Sequence, residues 1–186
     1  MNQKGFSLIE LMIAMLIGLI VIAGTFSVLE STQATNRVSA ALDARQDSVR
    51  YTAYTISRLV SVSSSINTST ASSLSLSLPA DPNVRNCIGQ PLTTAEVNVI
   101  SVINNQLTCT IGTTDWPLVE PIESVVFTYG ADTNNDNRVS AAEYTAAPGN
   151  WNEVVSVSTS ITIPNYTIQF ISTSRVKALT QLGESL

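Results

Sequence analysis

The chain changes its hydrophobic pattern about a third of the way along. From Leu11 to Leu29 the run "LMIAMLIGLIVIAGTFSVL" is almost wholly apolar, close to the roughly 20 residues a helix needs to cross about 30 Å of hydrocarbon. No proline occurs before Pro79 and helix formers dominate to about Val60, so the helix is expected to continue outward to roughly 80 Å. In its outer half Val38, Leu42, Val49, Ala53, Ile56 and Val60 recur at spacings of three, four or seven, an apolar stripe that should pack on a globular head. Arg37, Asp43, Arg45, Asp47, Arg50 and Arg58 fall between them and read as a face turned to water or to neighbours.

Past Val60 the period falls to two. The stretch "SVSSSINTSTASSLSLSL" is dominated by Ser and Thr and reads as a flexible connection, although its strictly alternating end, "SLSLSL", suits a first strand. Further strands are expected at "EVNVISVI", "QLTCTI", "PIESVVFTYG", "NEVVSVSTSITI" and "YTIQFIS", with Asn104 and Asn105 forming a hairpin turn between the first two. The expected fold is α+β: a long N-terminal helix, transmembrane and then amphipathic, packed on an antiparallel sheet head.

Charge and composition narrow the function. The chain carries a net charge of −5 and no histidine. After Pro79 carboxylates outnumber cations by ten to four, which argues against a direct nucleic-acid surface, since that needs clustered Lys and Arg. The missing histidine removes the commonest general base and metal ligand together. Glu120 and Glu123 could form an acid–base pair, but on a strand an i, i+3 pair points to opposite faces, so both are read as surface charges and no enzyme is expected.

A secretory signal peptide would carry its cleavage site after the apolar core, and nothing like A-x-A follows Ala23 or Gly24. A single-pass anchor with Lys4 held in the cytoplasm puts the rest of the chain on the far side of the membrane. There Cys87 and Cys109 should form a disulfide rather than a redox pair, since no C-x-x-C spacing or histidine is present to activate a thiolate.

One residue in the apolar segment calls for an explanation. Glu10 lies near its start, and an ionisable side chain within a span is costly, on the order of 3 kcal/mol at the centre. The polar leader "MNQKG" followed by "FSLIEL" resembles the type IV prepilin signature, in which a dedicated peptidase cleaves after the glycine and methylates the new N-terminus. The resemblance implies that Gly5 ends the leader, Phe6 begins the mature chain and Glu10 matches the glutamate characteristic of pilins. In a filament of staggered helices, the Phe6 ammonium of one subunit can then pair with Glu10 of another. At about 4 Å and an effective dielectric of about 20 that attraction is roughly 4 kcal/mol, comparable with the burial cost. A docked subunit is therefore favoured over a lone one.

The segment "DTNNDNRVSAAEY" follows the calcium loop of EF-hands position by position. Asp132, Asn134 and Asp136 would supply side-chain oxygens, Arg138 a carbonyl, Ser140 a direct or water-mediated contact, and Glu143 the bidentate carboxylate at position twelve. Asn137 replaces the usual glycine at position six and tolerates the same left-handed backbone. An Asx-rich turn joining two strands is the alternative.

In the head, "NNQLTC", then "PLVEPIESVVFTYGADTNNDN" and "WNEVVSVSTSITI" are similar to the PilW family of minor pilins. Val119 and Glu120 begin the match, Ile122 to Gly130 form its strand, Asp132 to Asp136 its loop and Trp151 to Val157 its return strand. The resemblance divides the chain into a leader (1–5), a transmembrane helix (6–29), an amphipathic periplasmic helix (30–60), a Ser/Thr-rich connection (61–78) and a β head (79–186). It implies an inner-membrane subunit with a periplasmic head that meets the prepilin peptidase, joins other minor pilins and the major pilin to prime assembly, and enters the extracellular fibre at low abundance. A minor pseudopilin of type II secretion and a calcium-dependent adhesin on the pilus are the competing expectations.

Overall fold

The computed structural model describes residues 8–134, 136 and 138–174, in two compact units divided between Ala44 and Arg45. Helix α1 spans Leu8–Val62. In the first unit its side chains lie open to solvent all round: Leu16 is 62 %, Ile20 65 % and Phe26 61 % exposed. Val38 and Leu42 share that exposure, so the inward stripe starts later than their spacing suggested.

In the second unit, Ser48, Val49, Thr52, Thr55, Ile56, Leu59 and Val60 form the buried face of the helix. Their spacing is helical, and Leu59, outside the expected stripe, is among the most buried. The buried hydroxyls of Ser48 and Thr52 are tolerated here because each reaches a backbone carbonyl. The Thr52 hydroxyl donates to the Ser48 oxygen at 2.8 Å, while Ser48 reaches the Glu120 oxygen at 2.7 Å.

The strands form two antiparallel sheets, not the one expected. Sheet one runs in chain order through β1 (Ser65–Ile66), β2 (Ser73–Leu78), β3 (Glu96–Ile103), β4 (Gln106–Ile111) and β5 (Thr114–Val119). Sheet two has the order β7-β6-β8-β9, with β6 at Ser124–Ala131, β7 at Tyr144–Thr145, β8 at Val154–Ile163 and β9 at Tyr166–Thr173. The break has a local cause. A bulge at Leu107/Thr108 and the missing N–H of Pro117 make β5 a poor template for a sixth strand, and the Ile122 N–H turns instead to the Asn105 oxygen at 2.9 Å. The β6 strand therefore begins at Ser124, two residues past Ile122.

The Ser/Thr-rich connection is ordered. Leu74, Leu76 and Leu78 are fully buried on the inner face of β2, and hydroxyls close the turn before it. Ser69 Oγ accepts the Ser75 N–H at 2.9 Å and Thr70 Oγ1 the Ser73 N–H at 3.1 Å. The expected turn between β3 and β4 is present, with Asn104 and Asn105 at φ 53° and 62°. Trp151 opens a short 3-10 helix, Trp151–Glu153, rather than the return strand, which starts at Val154. Its ring meets Tyr129 edge-on at 4.8 Å, and the Tyr129 hydroxyl donates to the Thr70 and Ser73 oxygens at 2.8 and 3.1 Å, tying sheet two to the turn before β2. Burial pushes the Tyr129 phenol well up, against a smaller opposing contribution from Ser69.

Candidate functional site

The helix start comes first. Glu10 sits in the first described turn of α1, exposed, and is the one charged side chain between Leu8 and Leu29. The hydroxyl of Thr25 donates to the Ile22 oxygen at 2.9 Å, so it adds no unsatisfied polar group to the apolar surface. This is the one described helix long and apolar enough to cross a membrane. The expected leader, ending at Gly5, and Phe6 after it lie outside the described residues.

The Asp/Asn loop lies in the head between β6 and β7. Asp132, nearly buried, accepts the Asp136 N–H on Oδ1 at 3.1 Å, and Asn134 Oδ1 accepts the same N–H at 3.0 Å. Asp136 Oδ1 in turn accepts the Arg138 N–H at 2.8 Å. The far end is closed by Glu143. Its Oε1 takes the Thr133 N–H and hydroxyl at 3.0 and 3.1 Å, and its Oε2 takes the Ser140 N–H at 2.7 Å. The Ser140 N–H and then the Ser140 side chain hold the Glu143 carboxyl down at about 2; burial opposes them and Thr133 adds to them. "SAAE", a capping-box spacing, signals this closure in the sequence.

The candidate calcium ligands are thus gathered into one loop, with Asn137 outside the described residues. The donors are oxygens throughout, as calcium requires, yet their oxygens are engaged by the loop's own N–H groups. Among the described residues no group of three acidic, cysteine or histidine side chains converges closely enough to hold a metal.

Gly130 is where this loop meets the sheet. A Cβ there would fall 2.6 Å from Val139 and 2.9 Å from Tyr144 and would overlap Ser156, so the close approach of loop to strand needs glycine. The Tyr144 and Ser156 hydroxyls, 2.9 Å apart, complete the contact.

The disulfide joins Cys87, in the loop before β3, to Cys109 on β4, with Cα atoms 6.3 Å apart and both residues buried. Asn98 supports it by accepting the Cys87 N–H at 2.9 Å. Arg58, expected on the solvated face, is half-buried instead and donates to the Arg85 and Asn86 oxygens at 2.6 and 2.9 Å, bracing this loop from the helix. Nothing in the local pattern around position 58 signals that contact, because its partners are some thirty residues away along the chain. Glu120 accepts from the Gln106 amide at 2.6 Å, which fits the surface role expected of it.

The family model of a prokaryotic N-terminal methylation motif matches residues 1–26. No curated protein and no solved structure matches the chain significantly. The matched residues include the expected leader and cleavage position, Glu10 and most of the apolar segment. Together the motif and the apolar helix that carries it support a type IV pilin-like protein, pilin or pseudopilin, and fit anchoring in the inner membrane and processing by a prepilin peptidase.

Proposed function

We propose that this chain is a minor pilin of the PilW type that primes assembly of a type IV pilus and enters the fibre at low abundance with the major pilin and other minor pilins. The observation that carries the reading is the methylation motif at residues 1–26 running into a largely apolar helix whose one described charge before Glu30 is Glu10. Cleavage after Gly5 and methylation of Phe6 would supply the cation that Glu10 pairs with in a neighbouring subunit. The order of strand, Asp/Asn loop, Trp151 and return strand in the head supports the narrower PilW assignment.

The test is genetic. A deletion strain is complemented with wild type or with Glu10→Ala, and surface pili and secreted enzymes are measured in the same cultures. Loss of pili with secretion intact, restored by wild type and not by Glu10→Ala, is the expected result. Loss of secretion with pili retained would make the chain a pseudopilin, and loss of attachment with abundant pili would make it an adhesin.

For the loop, the proposed ligand is calcium. Glu143 would exchange the Thr133 and Ser140 N–H groups for the ion, with Asp132, Asn134, Asp136, the Arg138 carbonyl and Ser140 completing an all-oxygen shell. Adding calcium chloride to the chelated protein should raise its unfolding midpoint, and the rise should vanish in Asp136→Ala. An unchanged midpoint at millimolar calcium overturns the assignment.

A further inference from the structure

On the outer side of the head's helical segment, Tyr51, Tyr54 and Arg58 follow one another at spacings of three and four and so share one face. Across from them stand Arg85, Ile88 and Gly89 of the disulfide loop, and these are among the residues that line an open cleft of about 260 Å³. None of its lining residues is acidic, in a chain whose net charge is −5. Both guanidiniums are fixed by backbone oxygens. Arg58 spends two N–H groups on the Arg85 and Asn86 oxygens, and Arg85 spends one on the Gly89 oxygen at 3.0 Å. Each arginine has about five N–H donors, so most remain for a ligand. Carbonyls set the plane of a guanidinium without neutralising it, which leaves two positioned cations lining one cleft.

The aromatic rim adds a second observation. Tyr51 is 42 % and Tyr54 66 % exposed, large side chains left in water beside the two cations. Tyrosine and arginine are the residue types that dominate protein-binding hot spots. The cleft is smaller than the roughly 300–1,000 Å³ of small-molecule sites and is sized for a side chain or two.

We propose that the cleft receives a carboxylate side chain from an acidic segment of a partner protein, hydrogen-bonded to Arg58 and Arg85 and flanked by the rings of Tyr51 and Tyr54. Opposite charge selects the partner, and the braced guanidiniums lower the ordering cost of binding. The inference goes beyond the pilus reading and does not depend on it.

The test uses the full-length chain in cells, with Tyr54→benzoylphenylalanine as a photocrosslinker. The expected result is an adduct whose partner peptide carries Asp or Glu at the crosslink. Arg85→Glu should lower its yield about tenfold or more, as loss of a close charge pair does, while Arg85→Lys retains most of it. Changing the identified carboxylate to Arg should restore the adduct in Arg85→Glu. Correct folding is read from the Cys87–Cys109 disulfide on a non-reducing gel; if Arg85→Glu loses it, Tyr51→Asp on the exposed rim replaces that variant. No adduct, an adduct to sugar or lipid, a partner peptide without a carboxylate, or a yield indifferent to charge reversal would overturn the proposal. Pilus counts in the deletion strain report separately on the pilus reading, and a partner that is not a pilin leaves the cleft proposal standing.

Discussion

Replacing Cys87 and Cys109 together with alanine opens a loop whose ends are separated by 22 residues. In the chain-entropy account, closing a loop of that length stabilises the fold by about 3 kcal/mol, nearly all of it through the unfolded chain. The other ties on this loop do not substitute for it. The Cys87 N–H bond to Asn98, the Leu92 N–H bond to the Val84 oxygen and the Arg58 brace exist only in the folded head and restrict nothing once it unfolds. They do predict that the double variant still folds to the native arrangement. The assay is urea unfolding of the full-length chain in detergent, followed by the fluorescence of Trp116 and Trp151, both in the head. With a denaturant slope of about 1–3 kcal/mol per molar, the midpoint should fall by about 1–3 M. A fall of less than about 0.3 M, outside that range by several-fold, would refute the idea that the cross-link acts by constraining the unfolded chain.

Other consequences are open to the same kind of measurement. Thr159 carries a buried hydroxyl with no hydrogen-bond partner among the described residues, so Thr159→Val should raise stability by about 1 kcal/mol; a lower midpoint would contradict that. Gly130→Ala should cost about 1–3 kcal/mol, because the added carbon meets Ser156, Val139 and Tyr144; thermal unfolding at wild-type temperature would show the contact to be soft. Glu143 has its folded value lowered from 4.5 to about 2, so its contribution is full above pH 4.5 and is lost as the pH falls through about 2. In chelator, the stability gap between wild type and Glu143→Gln should therefore narrow over that interval, and parallel pH curves would remove Glu143 as the clasp.

Those elements whose side chains follow a single period were legible in the sequence. The β2, β3, β4, β8 and β9 strands alternate or run apolar, and the structure places them within a residue or two of the expected segments. The β5 strand was not legible, since Asp115 and Pro117 read as loop residues and its outer position leaves it little inward alternation. Division into two sheets was equally hidden, because it depends on Ile122 pairing with Asn105 rather than continuing from β5. The helix stripe was legible in period and misplaced in extent: Val38 and Leu42 repeat correctly but are exposed, and the buried face runs from Ser48 to Val60.

The same division holds for the candidate sites. Spacing alone located the Asp/Asn loop and its closing carboxylate, since the hydrogen bonds that close it run between residues of the loop itself. The cleft joins residues 51–58 to residues 85–89, so no pattern in either segment announces it. The Ser/Thr-rich connection misled in the opposite direction. Its polarity suggested flexibility, whereas its hydroxyls are spent on the backbone of an ordered turn.

The mature N-terminus provides the most direct measurement of the central claim. The protein should be isolated both from cell membranes and from fibres sheared off the cell surface, and its first peptide identified by mass spectrometry. The account predicts a peptide beginning at Phe6 and carrying one N-methyl group, present in both fractions and scarce relative to the major subunit in the fibre. A chain that retains residues 1–5, or one cut after the apolar segment, would contradict it.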